Sequence, residues 1–345
     1  MDFLKDIIHI AFGVQDNDGS YSKYVGTTII SILENTKYKV CFHILHDNLF
    51  DDKNKLLLLN IVKKYNQLIV FHSVLIDKIL IDFYKNTGMF YRLYLLEYGE
   101  INLDKVIYLD GDILVNKDIN EIWNIDLKNY YCAVVKDVKM TRKALIDTRY
   151  YKNIGIDYKR YFNSGVIYFN CRLIKEKLKI REEIKRFFSK NKNVLMPDQD
   201  FLNYLFQKNV IFLDKKYNFI VDNIDDIKFR ELENYSIIHF AGRYKPWNCK
   251  NKEIIFNYYR YFSKIVDNNE ELCKYMSKIP EENFKKRGLK FSLLEYNKKN
   301  SIILSILCIL KGLLPDKIFY KWGNYLWKYL KYKCLYNVYY IINRK

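Results

Sequence analysis

The chain has 345 residues, half of them hydrophobic, a composition that suits a globular protein with a sizeable core and excludes a disordered chain. Lysine and arginine outnumber the acidic residues by 58 to 40, for a net charge of +18. Residues 285–345 alone hold 14 basic and 2 acidic residues. The charge therefore indicates a C-terminal region that meets a polyanionic surface, and it argues against a nucleic-acid interface along the whole chain.

The cysteines and the hydropathy pattern indicate the cellular compartment of the protein. The 7 cysteines are widely spaced and form no Cys-x-x-Cys motif, which fits reduced cytosolic thiols better than a disulfide scaffold or a zinc ribbon. The N-terminus lacks the basic start and apolar middle of a signal peptide. No uncharged apolar run reaches the ~18 residues that would predict a transmembrane helix, so we expect a cytoplasmic protein.

The first third of the chain predicts alternating strands and helices. The predicted strands cover residues 7–12, 40–47, 67–74 and 106–115, and the predicted helices cover residues 25–35, 51–65 and 91–97. This βαβαβ progression is typical of a mostly parallel sheet wrapped by helices. Ligands bind such sheets at the carboxyl ends of the strands.

The rest of the chain continues the alternation and then changes character. Further strands are predicted at 132–137, 162–170 and 236–242, a helix at 181–190, and a variable loop rich in Tyr, Lys and Arg at 139–160. An apolar segment at 301–314 precedes a basic, aromatic tail. We therefore divide the chain into an α/β domain at 1–250 and a helical, basic C-terminal region at 251–345.

The stretch KVIYLDGDILV places Asp110 and Asp112 inside an apolar run that reads as one buried strand. One interpretation is a hairpin turn, because Asp-Gly between apolar runs is a strong turn signal. The other is a metal site, since two carboxylates held on one side of the backbone repel unless a divalent cation lies between them. Oxygen ligands suit Mg²⁺ or Mn²⁺, and Gly111 would leave room for a ligand to approach the backbone.

Four further stretches accompany this one in a recognisable order. The five are AFGVQDNDGSYSKYVGTTIISILEN (11–35), FYRLYLLEY (90–98) with LDKVIYLDGDILV (103–115), YFNSGVIYFN (161–170), MPDQDFLNYLF (196–206) and IIHFAGRYKPW (237–247). Together the stretches resemble the family 8 retaining glycosyltransferases, which include bacterial lipopolysaccharide and lipooligosaccharide glucosyl- and galactosyltransferases. The segment after Trp247 carries no family motif.

The resemblance implies a fold and a reaction. The fold is GT-A, a Rossmann-like mixed α/β sheet that binds nucleotide sugars, with helices on both faces, and it would make residues 1–250 the catalytic domain. The reaction is transfer of glucose or galactose from UDP-glucose or UDP-galactose to a glycan acceptor of the cell surface, with retention at the anomeric carbon. A divalent metal, Mn²⁺ or Mg²⁺, bridges the UDP diphosphate.

The resemblance assigns three metal ligands and a lysine. Asp110 and Asp112 look like the metal-binding pair, and His239 in HFAG looks like the third ligand, whose imidazole would favour Mn²⁺. Without the motif, a satisfied core histidine is the ordinary reading of His239. Lys245 resembles the lysine that neutralises the departing diphosphate; the alternative is one exposed lysine among many. Gly242 would let the backbone approach the phosphates.

The nucleotide itself is expected beside the first strand and the helix predicted at 91–97. Arg92 in FYRLY matches a basic position near the nucleotide; alternatively it is a solvated charge on a helix face. Ala11, at a strand end, would fit a flat base stacked nearby. Many family members carry Asp where this chain has Gln15, and Asn17 matches a family Asn. The register is ambiguous by one residue, so either Gln15 or Asp16 contacts the base.

The donor sugar is expected against FNSG and PDQD. Asn163 and Ser164 of the first motif match positions that face the sugar, and Asp137 in VVKD is a further candidate. Asp198 and Gln199 of the second motif match the reaction centre. The alternatives are a turn at FNSG and a helix N-cap at PDQD. Gln199 stands where a double displacement would need a nucleophile, and an amide is a poor one, so we expect front-face attack.

The tail from residue 315 onwards suits an amphipathic helix whose lysines share one face. Lysines with ten aromatic residues suit the headgroup zone of an anionic membrane. We therefore expect peripheral attachment to the inner face of the cell membrane, next to a lipid-linked acceptor. The alternatives are that the tail packs on the catalytic domain, that the protein binds nucleic acid without transferase activity, and that it is a catalytically inactive relative. The donor sugar, the acceptor, the linkage and the oligomeric state are left open.

Overall fold

The computed structural model describes most of the first 248 residues and a few beyond. The described residues are 7–16, 18–75, 78–81, 84, 87–97, 101–140, 148–221, 232–242, 245–248, 258, 261–262 and 264–265. The chain divides into two compact units, Met1–Pro246 and Trp247–Lys345, and the elements below belong to the first. The segment 301–314 and the amphipathic tail lie outside the described residues, so the membrane expectation stays a prediction.

The first five elements follow the predicted alternation. They are β1 (Ile8–Val14), α1 (Ser20–Asn35), β2 (Val40–His46), α2 (Asp52–Lys64) and β3 (Leu68–Ser73). Helix α1 begins five residues before the predicted position, because its first turn is held by a loop carboxylate that the apolar periodicity does not show. Oδ2 of Asp16 accepts hydrogen bonds from the backbone N–H of Ser22 at 2.7 Å and from its hydroxyl at 2.5 Å.

The remaining elements complete the two sheets and the helices around them. They are α3 (Lys78–Ile81), α4 (Tyr91–Glu97), β4 (Val106–Leu109), β5 (Ile113–Val115), α5 (Asn120–Trp123), β6 (Cys132–Lys136), α6 (Arg149–Asn153), β7 (Phe162–Phe169), α7 (Cys171–Lys177), α8 (Ile180–Lys190), α9 (Pro197–Phe206), β8 (Val210–Phe212), β9 (Phe219–Ile220) and β10 (Ile237–His239). The predicted loop at 139–160 thus contains one helical turn and a half, α6.

The strands form a seven-stranded sheet in the order β3-β2-β1-β4-β7-β6-β8 and a three-stranded sheet in the order β5-β10-β9. In the large sheet β7 runs antiparallel to both β4 and β6, and the other pairs are parallel. The sheet is therefore mixed but mostly parallel, as predicted, because every strand except β7 runs in the same direction. Its strand order reverses between β1 and β4, and such a switch point opens a ligand crevice at the carboxyl ends of the strands.

The predicted strand at 106–115 is wrong as a single element. The chain turns at Gly111 and Asp112, so that β4 lies in the large sheet and β5 in the small one. The hairpin interpretation is wrong too, because β4 and β5 do not pair with each other. The two aspartates stand at the junction of the two sheets.

Helices α4, α8 and α9 share one hydrophobic cluster with the large sheet. The rings of Phe90, Phe188 and Phe201 are fully buried there, and the ring centroid of Phe188 lies 5.8 Å from each of the other two. The burial of this cluster fixes the position of the helices that border the crevice. Every helix in the described ranges is too short or too polar to cross a membrane.

Candidate active site

Two aspartates and a histidine meet at the junction of the sheets. Asp110 follows β4, Asp112 precedes β5, and His239 ends β10. One ligand atom from each lies within 4.8 Å of the other two. Nε2 of His239 is 3.3 Å from Oδ1 of Asp112 and 3.7 Å from Oδ2 of Asp110. The structure thus brings together the three side chains predicted as metal ligands.

Strand pairing explains how residues so distant in sequence meet. In the antiparallel ladder of β5 and β10, His239 pairs with Ile113, and the N–H of Phe240 donates to the carbonyl of Asp112 at 3.0 Å. A one-residue slip of this register would turn the His239 ring to the other face of the small sheet. The position of the ring therefore depends on the register of these three-residue strands.

A chain of side-chain hydrogen bonds, which we call the amide relay, runs from His239 to Asp137. Nδ1 of His239 lies 3.0 Å from Oδ1 of Asn218, and Nδ2 of Asn218 donates to Oδ1 of Asn163 at 2.9 Å. Nδ2 of Asn163 donates to Oε1 of Gln199 at 3.1 Å, and Nε2 of Gln199 donates to Oδ2 of Asp137 at 3.2 Å. All five side chains are buried.

The direction of the amide relay fixes the His239 ring. A carboxylate only accepts hydrogen bonds, so Asp137 sets the orientation of each amide back along the relay. Nδ1 of His239 is thus the donor to Asn218, and Nε2 is the ring nitrogen that faces Asp110 and Asp112. Two carboxylates and one imidazole nitrogen that converge on a point form a donor set that fits a divalent metal.

The two carboxylates also have cationic partners of their own. Nη2 of Arg92 bonds Oδ1 of Asp110 at 2.8 Å, and the Lys245 ammonium forms a direct ion pair with Oδ2 of Asp112. Burial disfavours the ionised form of Asp112, but His239 and Lys245 outweigh it and hold the pKa of this carboxyl well below its usual range. Arg92 and Lys245 thus supply countercharges to the two carboxylates, and the divalent cation between them stays a prediction.

Arg92 lies beneath the site and not on a solvated helix face. It is 5% exposed, its Nη1 donates to the carbonyl of Ser164, and its Nε lies 3.4 Å from Oδ2 of Asp198. Its guanidinium also stands over the ring of Tyr108, 4.5 Å from the centroid. Burial raises the pKa of Asp198 although Arg92 opposes the shift. Since the guanidinium contacts the carboxylates of Asp110 and Asp198, we assign Arg92 to positioning these two side chains.

Gly165 makes room for the metal-ligand set. It lies in β7 opposite the end of β4, and its carbonyl accepts the N–H of Asp110 at 2.9 Å. A Cβ built at Gly165 would overlap the His239 ring and lie 2.6 Å from Oδ2 of Asp110. No other residue type leaves this space open.

Gly111 has a packing role that differs from the expected one. A Cβ there would lie 2.7 Å from Cγ2 of Val25 and 2.9 Å from the Tyr21 oxygen, both on α1. The N–H of Gly111 donates to that oxygen at 3.3 Å. Burial, and then the charges of Asp110 and Asp112, raise the pKa of Tyr21 well above its usual value. The glycine therefore lets α1 approach the aspartates, and the space beside its Cα is filled by protein.

The turn after β10 carries Gly242 and Lys245. Gly242 is exposed with φ +89°, in the left-handed region that favours glycine. Besides its ion pair with Asp112, the Lys245 ammonium donates to the carbonyl of Phe240 at 2.9 Å. Lys245 is thus fixed next to the metal-ligand set, and the interpretation as an unattached surface lysine is wrong. The approach of phosphates to Gly242 stays a prediction.

The expected base-binding residues divide into three cases. Ala11 lies in the middle of β1, fully buried and paired with Tyr108, so its expected place at a strand end is wrong. Asp16 is 3% exposed and bonds the backbone of its own loop, whereas Gln15 is half-buried. The Gln15 side chain is engaged too, because its amide oxygen accepts the N–H of Gly88 at 2.9 Å and its amide nitrogen donates to the Thr87 hydroxyl at 3.3 Å. Which of the two residues contacts the base stays a prediction. Asn17 lies outside the described residues.

The sugar-side residues meet at the first turn of α9. The Ser164 hydroxyl donates to Oδ2 of Asp198 at 3.1 Å, and its N–H donates to Oε1 of Gln199 at 2.9 Å. FNSG is part of β7 and not a turn, and although Pro197 begins α9, the N-cap residue makes no side-chain cap. The turn interpretation of FNSG is therefore wrong, whereas PDQD does begin a helix, in which Oδ2 of Asp200 accepts the N–H of the N-cap residue Met196 at 3.0 Å.

Sequence reasoning missed two positioning residues. Asn218 stands between a short turn and β9, and no motif or spacing marks it. Asp200 accepts hydrogen bonds from the hydroxyls of Tyr150 and Tyr161, both at 2.5 Å, and anchors the start of α9. Burial raises the pKa of Asp200 while the two hydroxyls oppose the shift. The available sequence signal for Asp200 was its position one residue after Gln199.

Comparison with known proteins agrees with this geometry. The model of glycosyl transferase family 8 matches residues 9–251. A lipopolysaccharide 1,2-glucosyltransferase of Escherichia coli K12 is 28% identical over 282 residues, 76% of this chain and 79% of its own length. A lipopolysaccharide 1,3-galactosyltransferase of Salmonella typhimurium is 26% identical over 265 residues, 70% of this chain and 74% of its own length.

A solved structure shows the same fold. The galactosyltransferase LgtC, crystallised with donor and acceptor sugar analogs, superposes with a TM-score of 0.64 at 23% identity, over 79% of this chain and 100% of its own. This likeness supports the GT-A architecture of the mixed sheet. The chain belongs to glycosyl transferase family 8 and is a glycosyltransferase with the GT-A fold.

Proposed function

We propose that this glycosyltransferase moves glucose or galactose from the corresponding UDP-sugar to a glycan acceptor, with retention at the anomeric carbon and with Mn²⁺ as its metal. The observation that carries the proposal is the oriented set of Asp110, Asp112 and Nε2 of His239 at the switch point of the sheet. Two carboxylates and one imidazole suit Mn²⁺, and a crevice at this position suits a nucleotide.

Charge on the departing diphosphate is the main electrostatic problem of the reaction. Mn²⁺ held by the three ligands would neutralise part of that charge as a Lewis acid. The Lys245 ammonium lies against Asp112, so it can bond a phosphate oxygen beside the same ligands. Arg92 keeps Asp110 in place from beneath and does not need to touch the donor.

Front-face attack accounts for retention better than a double displacement. Gln199 is 2% exposed, its amide oxygen accepts from Asn163 and from the N–H of Ser164, and its nitrogen donates to Asp137. A side chain held at both ends does not turn to attack, and an amide is a poor nucleophile. The leaving phosphate oxygen then accepts the proton of the acceptor hydroxyl. On this proposal Asp198 binds hydroxyl groups of the donor sugar.

The acceptor is proposed to be lipopolysaccharide or a similar lipid-linked glycan. The names of the two relatives described above support this class, as does the basic, aromatic composition of residues 285–345. On this proposal the protein attaches peripherally to the inner face of the membrane. Deleting the residues after Lys290 should move it from the membrane pellet to the soluble fraction; equal pelleting would contradict the attachment.

Donor hydrolysis without acceptor tests the reaction. UDP-glucose and UDP-galactose are each incubated with and without Mn²⁺, and release of UDP is measured. We expect turnover of one donor that depends on Mn²⁺ and falls by at least about 100-fold in Asp110→Ala. The matched control is Asp104→Ala, because Asp104 is an exposed aspartate paired with Arg172. Near-native turnover of Asp110→Ala at saturating donor and Mn²⁺ would refute the metal role.

The competing functions have less support. The chain belongs to a transferase family, so nucleic-acid binding without transferase activity is no longer the favoured explanation of the basic charge. Salt-sensitive DNA binding without UDP-sugar turnover would restore it. An inactive sugar-binding relative is disfavoured because Asp110, Asp112, His239 and Lys245 are all present, with His239 beside both carboxylates and Lys245 paired with Asp112.

A further inference from the structure

A second cluster of metal-binding side chains lies on the other half of the large sheet. Among the residues that the structure describes, two groups of three bring their ligand atoms within 4.8 Å of one another. One is the candidate active site, and the other is His9, Cys41 and His43. His9 and Cys41 stand near the amino-terminal ends of β1 and β2, whereas the active site is at the carboxyl ends of the strands.

Parallel pairing puts the three side chains on one face. His9 pairs directly with Cys41 in the ladder of β1 and β2, so their side chains point the same way. His43 follows Cys41 by two residues and faces that side as well. Like the active-site triad, the cluster is made by strand pairing, but here the strands are long and adjacent, so its register is strongly specified.

The spacing of the ligand atoms is close to that of a zinc site. Nδ1 of His9 lies 3.0 Å from Nε2 of His43, and two imidazole nitrogens on one tetrahedral zinc stand about 3.3 Å apart. The Cys41 sulfur lies within 4.8 Å of one nitrogen of each ring, and a shift of roughly 1 Å would bring it to a zinc–thiolate arrangement. Side-chain rotation of that size does not disturb the backbone ladder.

A fourth residue holds the central ring. Nδ1 of His43 lies 3.0 Å from Nε2 of His72, on β3, and the two rings stack with centroids 5.2 Å apart. A metal-binding histidine usually has its second nitrogen fixed by such a partner, which sets the ring orientation and the tautomer. His72 is therefore in the position of a residue that orients the ring of His43.

The chemistry of the donors selects the metal. Cys41 and His43 are 6% and 5% exposed. A cysteine binds a metal as the thiolate, so its proton passes to the solvent when the metal binds. One thiolate and two imidazoles suit Zn²⁺, whereas Mn²⁺ and Mg²⁺ prefer oxygen ligands. The two clusters are thus matched to different ions.

We propose that His9, Cys41 and His43 bind one zinc ion, with the fourth position open to water and with His72 orienting the ring of His43. The site ties β1 to β2 and is separate from the transfer reaction. It does not depend on the proposed donor or acceptor, and it should be present whichever sugar the enzyme moves.

Cobalt titration of the full-length protein tests the site, because a thiolate ligand gives Co²⁺ a near-ultraviolet charge-transfer band. The active-site ligands contain no sulfur, so cobalt bound there does not produce the band. We expect the band to saturate at one Co²⁺ per chain and to disappear when Zn²⁺ is added. A protein that shows no such band would overturn the proposal.

Variants locate the ligands. Cys41→Ser should abolish the band, and Cys132→Ser should retain it, since Cys132 is an equally buried cysteine of the same sheet that is absent from the cluster. His72→Gln should keep the band but weaken cobalt binding by about tenfold. Should Cys41→Ser not fold, His9→Gln gives the same test, with cobalt binding at least about tenfold weaker. A band that persists in Cys41→Ser, or cobalt affinity unchanged in His9→Gln, would overturn the assignment.

Discussion

Nδ1 of His239 lies 3.0 Å from Oδ1 of Asn218, and this contact decides which nitrogen of the ring faces Asp110 and Asp112. Asn218 immediately precedes β9, which pairs in parallel with β10, the strand that His239 ends. The small sheet thus delivers the third ligand and its positioning partner together. Asp137, at the far end of the amide relay, accepts a hydrogen bond from Gln199 and thereby fixes which partner donates in the contact between His239 and Asn218.

Replacing Asn218 by alanine should weaken the metal site without removing a ligand. The ring of His239 loses the acceptor for Nδ1, and loss of such a partner typically lowers metal affinity by about 10–100-fold. We expect the Mn²⁺ concentration for half-maximal turnover to rise by that factor, with kcat at saturating Mn²⁺ nearly unchanged. Asn209→Ala is the control, because the Asn209 side chain contacts only a backbone carbonyl at an exposed site. The same Mn²⁺ dependence in both variants would contradict the orienting role.

Gly165→Ala should inactivate the enzyme while the domain still folds. The added methyl group occupies the space of the His239 ring and of Oδ2 of Asp110, and both side chains can swing aside at little cost to the core. Displacement of reacting groups by about 1 Å costs on the order of 100-fold in rate. The checks are kcat/KM for donor hydrolysis and the far-ultraviolet circular dichroism spectrum. Native turnover in this variant would show that the ligand set lies elsewhere.

Arg92→Met should destabilise the domain as well as the site. It removes the cation beside Asp198 and Asp110, and breaking a buried pair at one end costs about 3–5 kcal/mol. Arg172→Met is the matched control, since the pair of Arg172 with Asp104 is exposed and spans 3.7 Å; its loss should cost less than about 1 kcal/mol. Urea denaturation measures both. Equal midpoints for the two variants would refute the bridging role of Arg92.

Gln199 should not carry a covalent glycosyl group during turnover. Intact-mass spectrometry of the wild-type protein and of Gln199→Glu, each quenched during donor hydrolysis, should show no species heavier by one hexose. Gln199→Glu should also turn over more slowly by at least about tenfold, because a carboxylate beside Asp137 breaks the amide relay and is buried without a cation. Accumulation of a hexosylated protein would replace front-face attack by a double displacement.

Local sequence signals located most elements of the first half. Strands β1 to β3 and helix α2 were predicted within two residues of their observed ends, because each has its own apolar periodicity and turn residues. The motif around Asp110, Asp112 and His239 was recognisable for the same reason, since the residues of each stretch are neighbours in sequence.

Only the tertiary structure decided how those stretches combine. The antiparallel direction of β7, the split of 106–115 between two sheets and the register of β5 with β10 depend on pairing between distant strands, which periodicity within a segment does not encode. The countercharges from Arg92 and Lys245 and the direction of the amide relay depend in turn on that pairing. The sequence by itself therefore indicated which motif residues meet at the site, though not Asn218 or Asp200. The folded chain decided which nitrogen of His239 faces the aspartates, because hydrogen-bond direction is a property of contacts and not of neighbours in sequence.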